Sequence, residues 1–391
     1  MQPANRLNAI PPYLFGEIAR LKADAIRAGK DLIDLGIGDP DQPTPSPIID
    51  ALQSASHQPE THRYDESPNG DPIFTSAVSR WFSRRFGVEL NPTQHILQLI
   101  GSKEGLAHIA WAYLDPGDLT IVPSPAYTVY RVNSLLAGAS VYEMPLRAER
   151  GFLPDLTAIP SDVARRAKLL WLNYPNNPTG ATASLEFYGD AVRFCREHDL
   201  LLVNDAAYID VTFDGFRAPS VLQVDGAMDV AIEFHSFSKM FNMTGWRIGM
   251  AVGNPAAIAT LNKLKSNVDS KQFAAIARAA AYASEYADNH ATLDIIRRRR
   301  DILIEGLNAL GWRLPYPKAT FYVWLPVPPG QTSVSFAKRL LEEAGVLVIP
   351  GVGYGAAGEG YVRMSLTVSG DANGERIQNA VDRIGAAGFH P

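Results

Sequence analysis

The sequence predicts an α/β protein: a large domain with a mostly parallel sheet covered by helices, followed by a small α+β domain. Three observations predict it. Short apolar runs of strand length alternate with longer amphipathic stretches, the pattern of a sheet buried on both faces. The most polar motifs follow directly after those runs, where parallel sheets bind ligands. The pattern then changes towards the C-terminus, where one long helical stretch gives way to several short apolar runs.

The expected buried strands are LTIVP around Ile121, KLLWLNY around Leu170, LLLVND around Val203 and AIEFHSF around Phe234. Another ends at Ile100, ahead of the Gly-Ser turn of GSKEG. Amphipathic periodicity predicts helices over 103–113 and 185–199. A helix over 286–310 opens the small domain. TFYVWLPV, a helix over 336–344, VLVIPG and YVRMSL complete it. One helix over 18–27 precedes a Pro- and Gly-rich stretch that reaches Asp41 and is expected to pack on the small domain or on a partner subunit. The expected division is therefore 1–45 as an N-terminal arm and part of the small domain, 46–285 as the large domain, and 286–391 as the small domain.

The 391 residues suffice for this division, and 46% hydrophobic with 20% charged residues is ordinary for a globular enzyme. A net charge of -5 argues against a nucleic-acid or anionic-membrane partner. The run of arginines at 297–300 reads as a solvated helix face. The single cysteine, Cys195, excludes an internal disulfide and a cysteine metal site, and reads as a buried helix residue. No metal site is expected. No apolar run has membrane length and no signal-peptide pattern begins the chain, so a cytoplasmic enzyme is expected.

Chemistry concentrates in HSFSKMFNMTGWRIG, which sets Lys239 beside Ser236 and Ser238 with Arg247 downstream. A lysine near a second cation loses pKa and becomes a nucleophile towards carbonyls. An aldehyde cofactor bearing a phosphate would use every part of this segment; a plain surface lysine is the alternative. Ser102 in GSKEG offers a helix start to a phosphate, or simply an N-cap. Asp205 ends the most apolar strand, where an unpaired carboxylate is costly. It would hold a pyridine nitrogen protonated, or cap a helix. Tyr208 and Asn177 could donate to a phenolic oxygen. Tyr127 is an aromatic lid or a core tyrosine. Arg363, inside the apolar strand YVRMSL, calls for an anion such as an α-carboxylate.

NNPTG, NDAAY, SFSK, TGWRIG and VRMSL, in this order, resemble the class I and II aminotransferases, pyridoxal-phosphate enzymes of fold type I. The resemblance covers nearly the whole chain. It implies Lys239 as the Schiff-base lysine and general acid/base, Asp205 at the ring nitrogen, and Tyr208 with Asn177 at the phenolic oxygen. It implies Ser102, the Lys103 backbone, Ser236, Ser238 and Arg247 at the phosphate, and Tyr127 on the ring. Arg363, helped by Asn177 and the Gly38 backbone, would take the substrate carboxylate. Tyr64 would reach the phosphate of a neighbouring subunit, which implies a homodimer with shared sites. An amino acid and a 2-oxo acid, both small molecules, are the implied substrates, with 2-oxoglutarate as acceptor.

Within the family, GIGDPDQPTP, RRFGVEL, LIGSKEGLAH, LPDLTAIP, FNMTGWRIGMAVGN and NVDS resemble the bacterial LL-diaminopimelate aminotransferases, and Tyr13 matches a tyrosine that reaches their active site. Two segments depart. YDESPNG lacks a second tyrosine, and Lys271 in NVDSKQF stands where glycine is frequent. A distal ammonium would want a carboxylate such as Asp65 or Glu66. A dicarboxylic donor would want a distal cation, and Asn262 stands where an arginine would serve it, leaving Lys103, Lys263, Lys265 or Lys271. The alternatives are an aspartate, alanine or aromatic aminotransferase, or a lyase, racemase or acyltransferase of the same fold. A non-catalytic regulator domain is disfavoured, since GIGDPDQPTP leaves no room ahead of it for a DNA-binding helix-turn-helix.

Overall fold

The structure, a computed structural model, describes every residue except 11–19, 21, 25 and 28. Tyr13 and positions 18, 19, 21 and 25 of the helix expected over 18–27 lie outside the described residues; its other residues are helical. The strands, in order, are β1 (Ile33–Asp34), β2 (Ile96–Leu99), β3 (Leu119–Ser124), β4 (Ser140–Pro145), β5 (Ala167–Asn173), β6 (Leu201–Asp205), β7 (Ala231–Ser236), β8 (Gly249–Gly253), β9 (Tyr322–Pro326), β10 (Val346–Leu347), β11 (Ile349–Pro350) and β12 (Tyr361–Ser365).

The large sheet has the order β2-β8-β7-β6-β5-β3-β4 and is parallel except for β8, which runs against both its neighbours. The expected α/β class is therefore present, and each of the four expected apolar runs is a strand of this sheet. Strand β8 was not expected, because GMAVG is short and bounded by glycines. Central strands such as β6 and β7 are buried on both faces, which explains why they read as continuous apolar runs. The helices Ser102–Tyr113 and Leu185–His198 agree with expectation to within a residue. The second starts on a Ser184 side chain that accepts from Phe187 N and stops at Asp199 in the left-handed region.

A three-stranded antiparallel sheet, β11-β12-β9, and the parallel pair β1-β10 form the second unit. Its apolar cluster includes Ile33, Leu35, Phe321, Phe336 and Ile377, together with Tyr208 and Val211 from the loop after β6. The described N-terminal stretch packs on this unit. Ser365 N donates to Leu35 O, Thr367 Oγ1 donates to Ile37 O, and β1 pairs with β10.

Two expectations need correction. The helix expected over 286–310 is the helix His290–Ala309, while Tyr286 ends the preceding helix, Ala274–Tyr286. The break has a local cause: Asp288 accepts from His290 N, and Asn289 donates to Asp210 O. The arginine run is not wholly solvated. Arg297 and Arg298 are exposed, but Arg299 and Arg300 are buried. Arg299 forms a two-pronged pair with Asp41 (2.8 and 2.9 Å) and donates to the carbonyls of Leu366, Val368 and Asp371. That full pairing is what makes its burial affordable in free energy, and it pins the N-terminal stretch to the small unit. Among the described residues no helix is long and apolar enough to cross a membrane.

Candidate active site

Strands β5, β6 and β7 run parallel and end side by side at Asn173, Asp205 and Ser236, so one sheet edge collects three polar residues. A cavity of about 510 Å³ opens there. It is lined by Gly38, Ser102, Lys103, Tyr127, Asn177, Asp205, Tyr208, Ser236, Ser238, Lys239, Arg247 and Arg363, all expected from sequence. It is also lined by Asp39, Tyr130, Asn173, Thr244, Gly245 and Tyr322, which were not. Tyr64 and Glu66 lie elsewhere. They are exposed and line a separate cavity of about 1050 Å³ beside Lys271.

Lys239 sits in the short helix Phe237–Met240, whose start is capped by Ser236 Oγ accepting from Ser238 N. Its Nζ donates to Gly38 O at 3.2 Å and lies 4.0 Å from Asp39. Burial brings its pKa down to about 8. Asp39 opposes that shift, and Arg363 and Arg247 add to it. The sequence reading credited a nearby cation; loss of solvation is the larger cause.

Asp205 is buried. Tyr130 OH donates to its Oδ2 at 2.8 Å and Ala207 N to its Oδ1 at 3.1 Å. Burial pushes its pKa up to about 6, against the pull of those two donors and of His235. Among the described residues it forms no ion pair. A buried carboxylate on the cavity wall that pairs with none of the described cations fits a protonated ring nitrogen brought by a ligand.

The other end of the cavity suits a phosphate. Ser102 opens the helix Ser102–Tyr113, but Gly101 occupies the N-cap position and, among the described residues, no side chain caps this helix. Ser102 is therefore the first helical residue, not the cap, and the helix start offers uncapped N–H groups. Gly101 has φ +79°, and a Cβ there would overlap the Arg247 guanidinium. Arg247 also has positive φ (57°) and donates to Thr244 O. Hydroxyls, a helix start, one guanidinium, a mostly buried lysine and an uncompensated carboxylate are together the donor set that a pyridine aldehyde phosphate requires.

Arg363 is buried on β12. Its Nη1 donates to Asn177 Oδ1 (3.0 Å) and its Nη2 to Gly36 O (2.7 Å), while Nε has no hydrogen-bond partner among the described residues. The carbonyl on this arginine is thus that of Gly36, and that of Gly38 faces Lys239. Tyr322 stacks under the guanidinium at 4.1 Å and shares a hydrogen bond with Tyr208 (3.0 Å). A Cβ on Gly38 would overlap the Tyr322 hydroxyl, which explains glycine there. Three N–H groups of Arg363 remain to bind an anion.

Residues 30–384 match the family Aminotransferase class I and II. The chain is 53% identical over 386 residues to an LL-diaminopimelate aminotransferase of Moorella thermoacetica, covering 98% of each. The substrate-bound structure of BacF from Bacillus subtilis superposes with a TM-score of 0.93 at 36% identity, covering 100% of this chain and 98% of that one. An aspartate aminotransferase variant from Thermus thermophilus gives 0.90 at 32%, covering 99% and 100%.

Proposed function

The chain belongs to the class I and II aminotransferases, and from that footing we propose that it transfers an amino group from LL-2,6-diaminopimelate to 2-oxoglutarate. We take pyridoxal 5'-phosphate as its cofactor and a cytoplasmic homodimer as its working form. The observation that carries this reading is the meeting of Lys239, Asp205 and Arg363 in one cavity, in a chain half identical to a relative of that name. The division into 1–45 with 286–391 around 46–285 belongs to the same proposal, supported by the separate apolar clusters.

Pyridoxal phosphate, when bound, supplies an aldehyde that exchanges amino groups and a cationic ring that takes up the electron pair left at Cα. Lys239 would hold the cofactor between turnovers and would take up and return the proton at the substrate Cα. A pKa of about 8 lets it both accept and return that proton near neutral pH. Asp205 holds the proton on the ring nitrogen. Tyr208 and Asn177 donate to the phenolic oxygen; Asn177 gives its Oδ1 to Arg363, which leaves its NH₂ free to donate. Ser102, the Lys103 backbone, Ser236, Ser238 and Arg247 bind the phosphate, and Tyr127 covers the ring. Arg363 would bind the substrate carboxylate and so orient Cα for the reaction. Tyr64 from a second copy of the chain reaches the phosphate, and Glu66 and Tyr13 serve the substrate side.

A second reading, an aspartate-type donor, rests on Lys103. It lines the cavity and makes no ion pair among the described residues. Lys263 does not line it, and Lys265 and Lys271 are engaged elsewhere. The test is product analysis with LL-diaminopimelate in the presence and absence of 2-oxoglutarate. Glutamate formed only when both are present supports the proposal. Turnover of the amino acid without any 2-oxo acid would instead indicate a lyase or racemase.

A further inference from the structure

We propose that Tyr130 is a positioning residue for the transamination, holding the Asp205 carboxylate ionised and aimed at the ring nitrogen of the cofactor. This rests on the reading of the site just given.

Tyr130 belongs to the helix Val129–Leu136 and is fully buried, yet it lines the active-site cavity. Its hydroxyl donates to Asp205 Oδ2 at 2.8 Å, while Ala207 N holds the other oxygen. The carboxylate is thus gripped at both ends, and its plane is fixed. The phenol is itself immobile. Trp171 stacks on it with ring centres 5.2 Å apart and planes 20° from parallel. Trp171 is anchored in turn by Nε1 donating to Thr120 Oγ1 at 2.9 Å. Tyr127 meets Tyr130 edge-on at 6.0 Å. A side chain so braced is pre-set for one bond and loses little freedom in making it.

The bond has a direction. A phenol donor favours the charged carboxylate over the neutral acid. Burial works the other way, and ring protonation needs the charge. The other titratable groups around the pair are Tyr127, Tyr208 and His235. Tyr208 is engaged by Tyr322 at 3.0 Å, and His235 by Glu233 at 2.9 Å. Neither can replace the phenol as a donor to Oδ2. Removing the hydroxyl should let Asp205 take up a proton within the working pH range, and the ring nitrogen should then lose its own.

The test uses the holoenzyme and Tyr130→Phe, reconstituted with pyridoxal phosphate carrying ¹⁵N in the ring. Ring protonation is read by NMR across pH, and kcat and KM are measured alongside. A lost hydrogen bond to a charged group corresponds to about a ten- to hundredfold effect. The expected result is a ring nitrogen that deprotonates at lower pH in the variant. kcat should fall by that factor while KM is little changed, because Arg363 is untouched. In an Asp205→Asn background, Tyr130→Phe should have no further effect. 3-Fluorotyrosine at position 130 keeps the donor and should restore both readouts. An unchanged titration and kcat would overturn the proposal, as would an equal loss in the Asp205→Asn background. If the wild-type enzyme binds no cofactor, the underlying reading of the site fails first, and that outcome is separately visible.

Discussion

Lys271 Nζ lies 3.2 Å from Asp65 Oδ2, and the pair joins the two segments that depart from the related enzymes. The contact is ionic; the ammonium protons point to the backbone carbonyls of Asp65 (3.0 Å) and Ser67. Lys271 is therefore a strap on the loop that carries Tyr64 and Glu66, and not a free distal cation. Asp65 is consumed by it, which leaves Glu66 as the exposed acid of that loop.

Cutting this strap should loosen the loop without touching the cofactor cavity. Lys271→Met is expected to cost about 1–2 kcal/mol of stability, since the pair is largely but not fully buried. It should also raise KM for the amino donor. Urea unfolding and steady-state kinetics read the two effects. Unchanged stability with unchanged KM would show that the strap does nothing.

Arg363→Lys removes the planar fork and keeps the charge. A lysine cannot hold Asn177, Gly36 and a carboxylate together. kcat/KM should fall by roughly a hundred- to a thousandfold, equivalent to about 3–4 kcal/mol. A loss below about tenfold would mean that the substrate carboxylate is bound elsewhere.

Lys239 attacks the cofactor aldehyde only as the free amine. Its pKa is brought down to about 8, so the amine is protonated below that pH and free above it. The rate of cofactor attachment to cofactor-free protein should rise with pH through about 8 and level off. Stopped-flow absorbance follows it. A rate still climbing through the ordinary lysine pKa of 10.5 would contradict the burial argument.

Asp205 should weaken the cofactor-free chain. The folded carboxyl holds its proton up to about pH 6, whereas the unfolded one releases it at the ordinary 3.8. Between these values the unfolded chain binds fewer protons, so stability falls as pH rises, by on the order of 3 kcal/mol in all. Above pH 6 the full cost stands. Asp205→Asn should therefore melt higher than wild type without cofactor at pH 8, and the gap should close below pH 4. Bound cofactor should stabilise the wild type more than the variant. A variant that melts lower than wild type at pH 8 without cofactor would refute this.

Much of the site was legible because its residues follow their strands directly. Asp205, Ser236, Lys239 and Asn177 all lie within a few residues of an apolar run that names its own strand. Tyr130, Tyr322 and Asp39 were missed because their partners are remote in sequence, as with Tyr130 and Asp205, 75 residues apart. Tyr130 had one available signal: it follows Tyr127 by three positions, so a helix there would turn both the same way. The Lys271 strap had none, since a lysine's reach leaves no local pattern. Buried Arg299 was misread for the same reason; Asp41, 258 residues away, is what permits its burial.

The most direct test of the central claim is a half-reaction titration of the yellow holoenzyme. LL-diaminopimelate, aspartate, alanine and an aromatic amino acid are added separately, and loss of the lysine-bound cofactor absorbance is followed. The proposal predicts that diaminopimelate wins in rate per concentration by more than about tenfold, roughly 1.4 kcal/mol of transition-state preference. A win by another donor would contradict diaminopimelate as substrate and point to the loop strapped by Lys271.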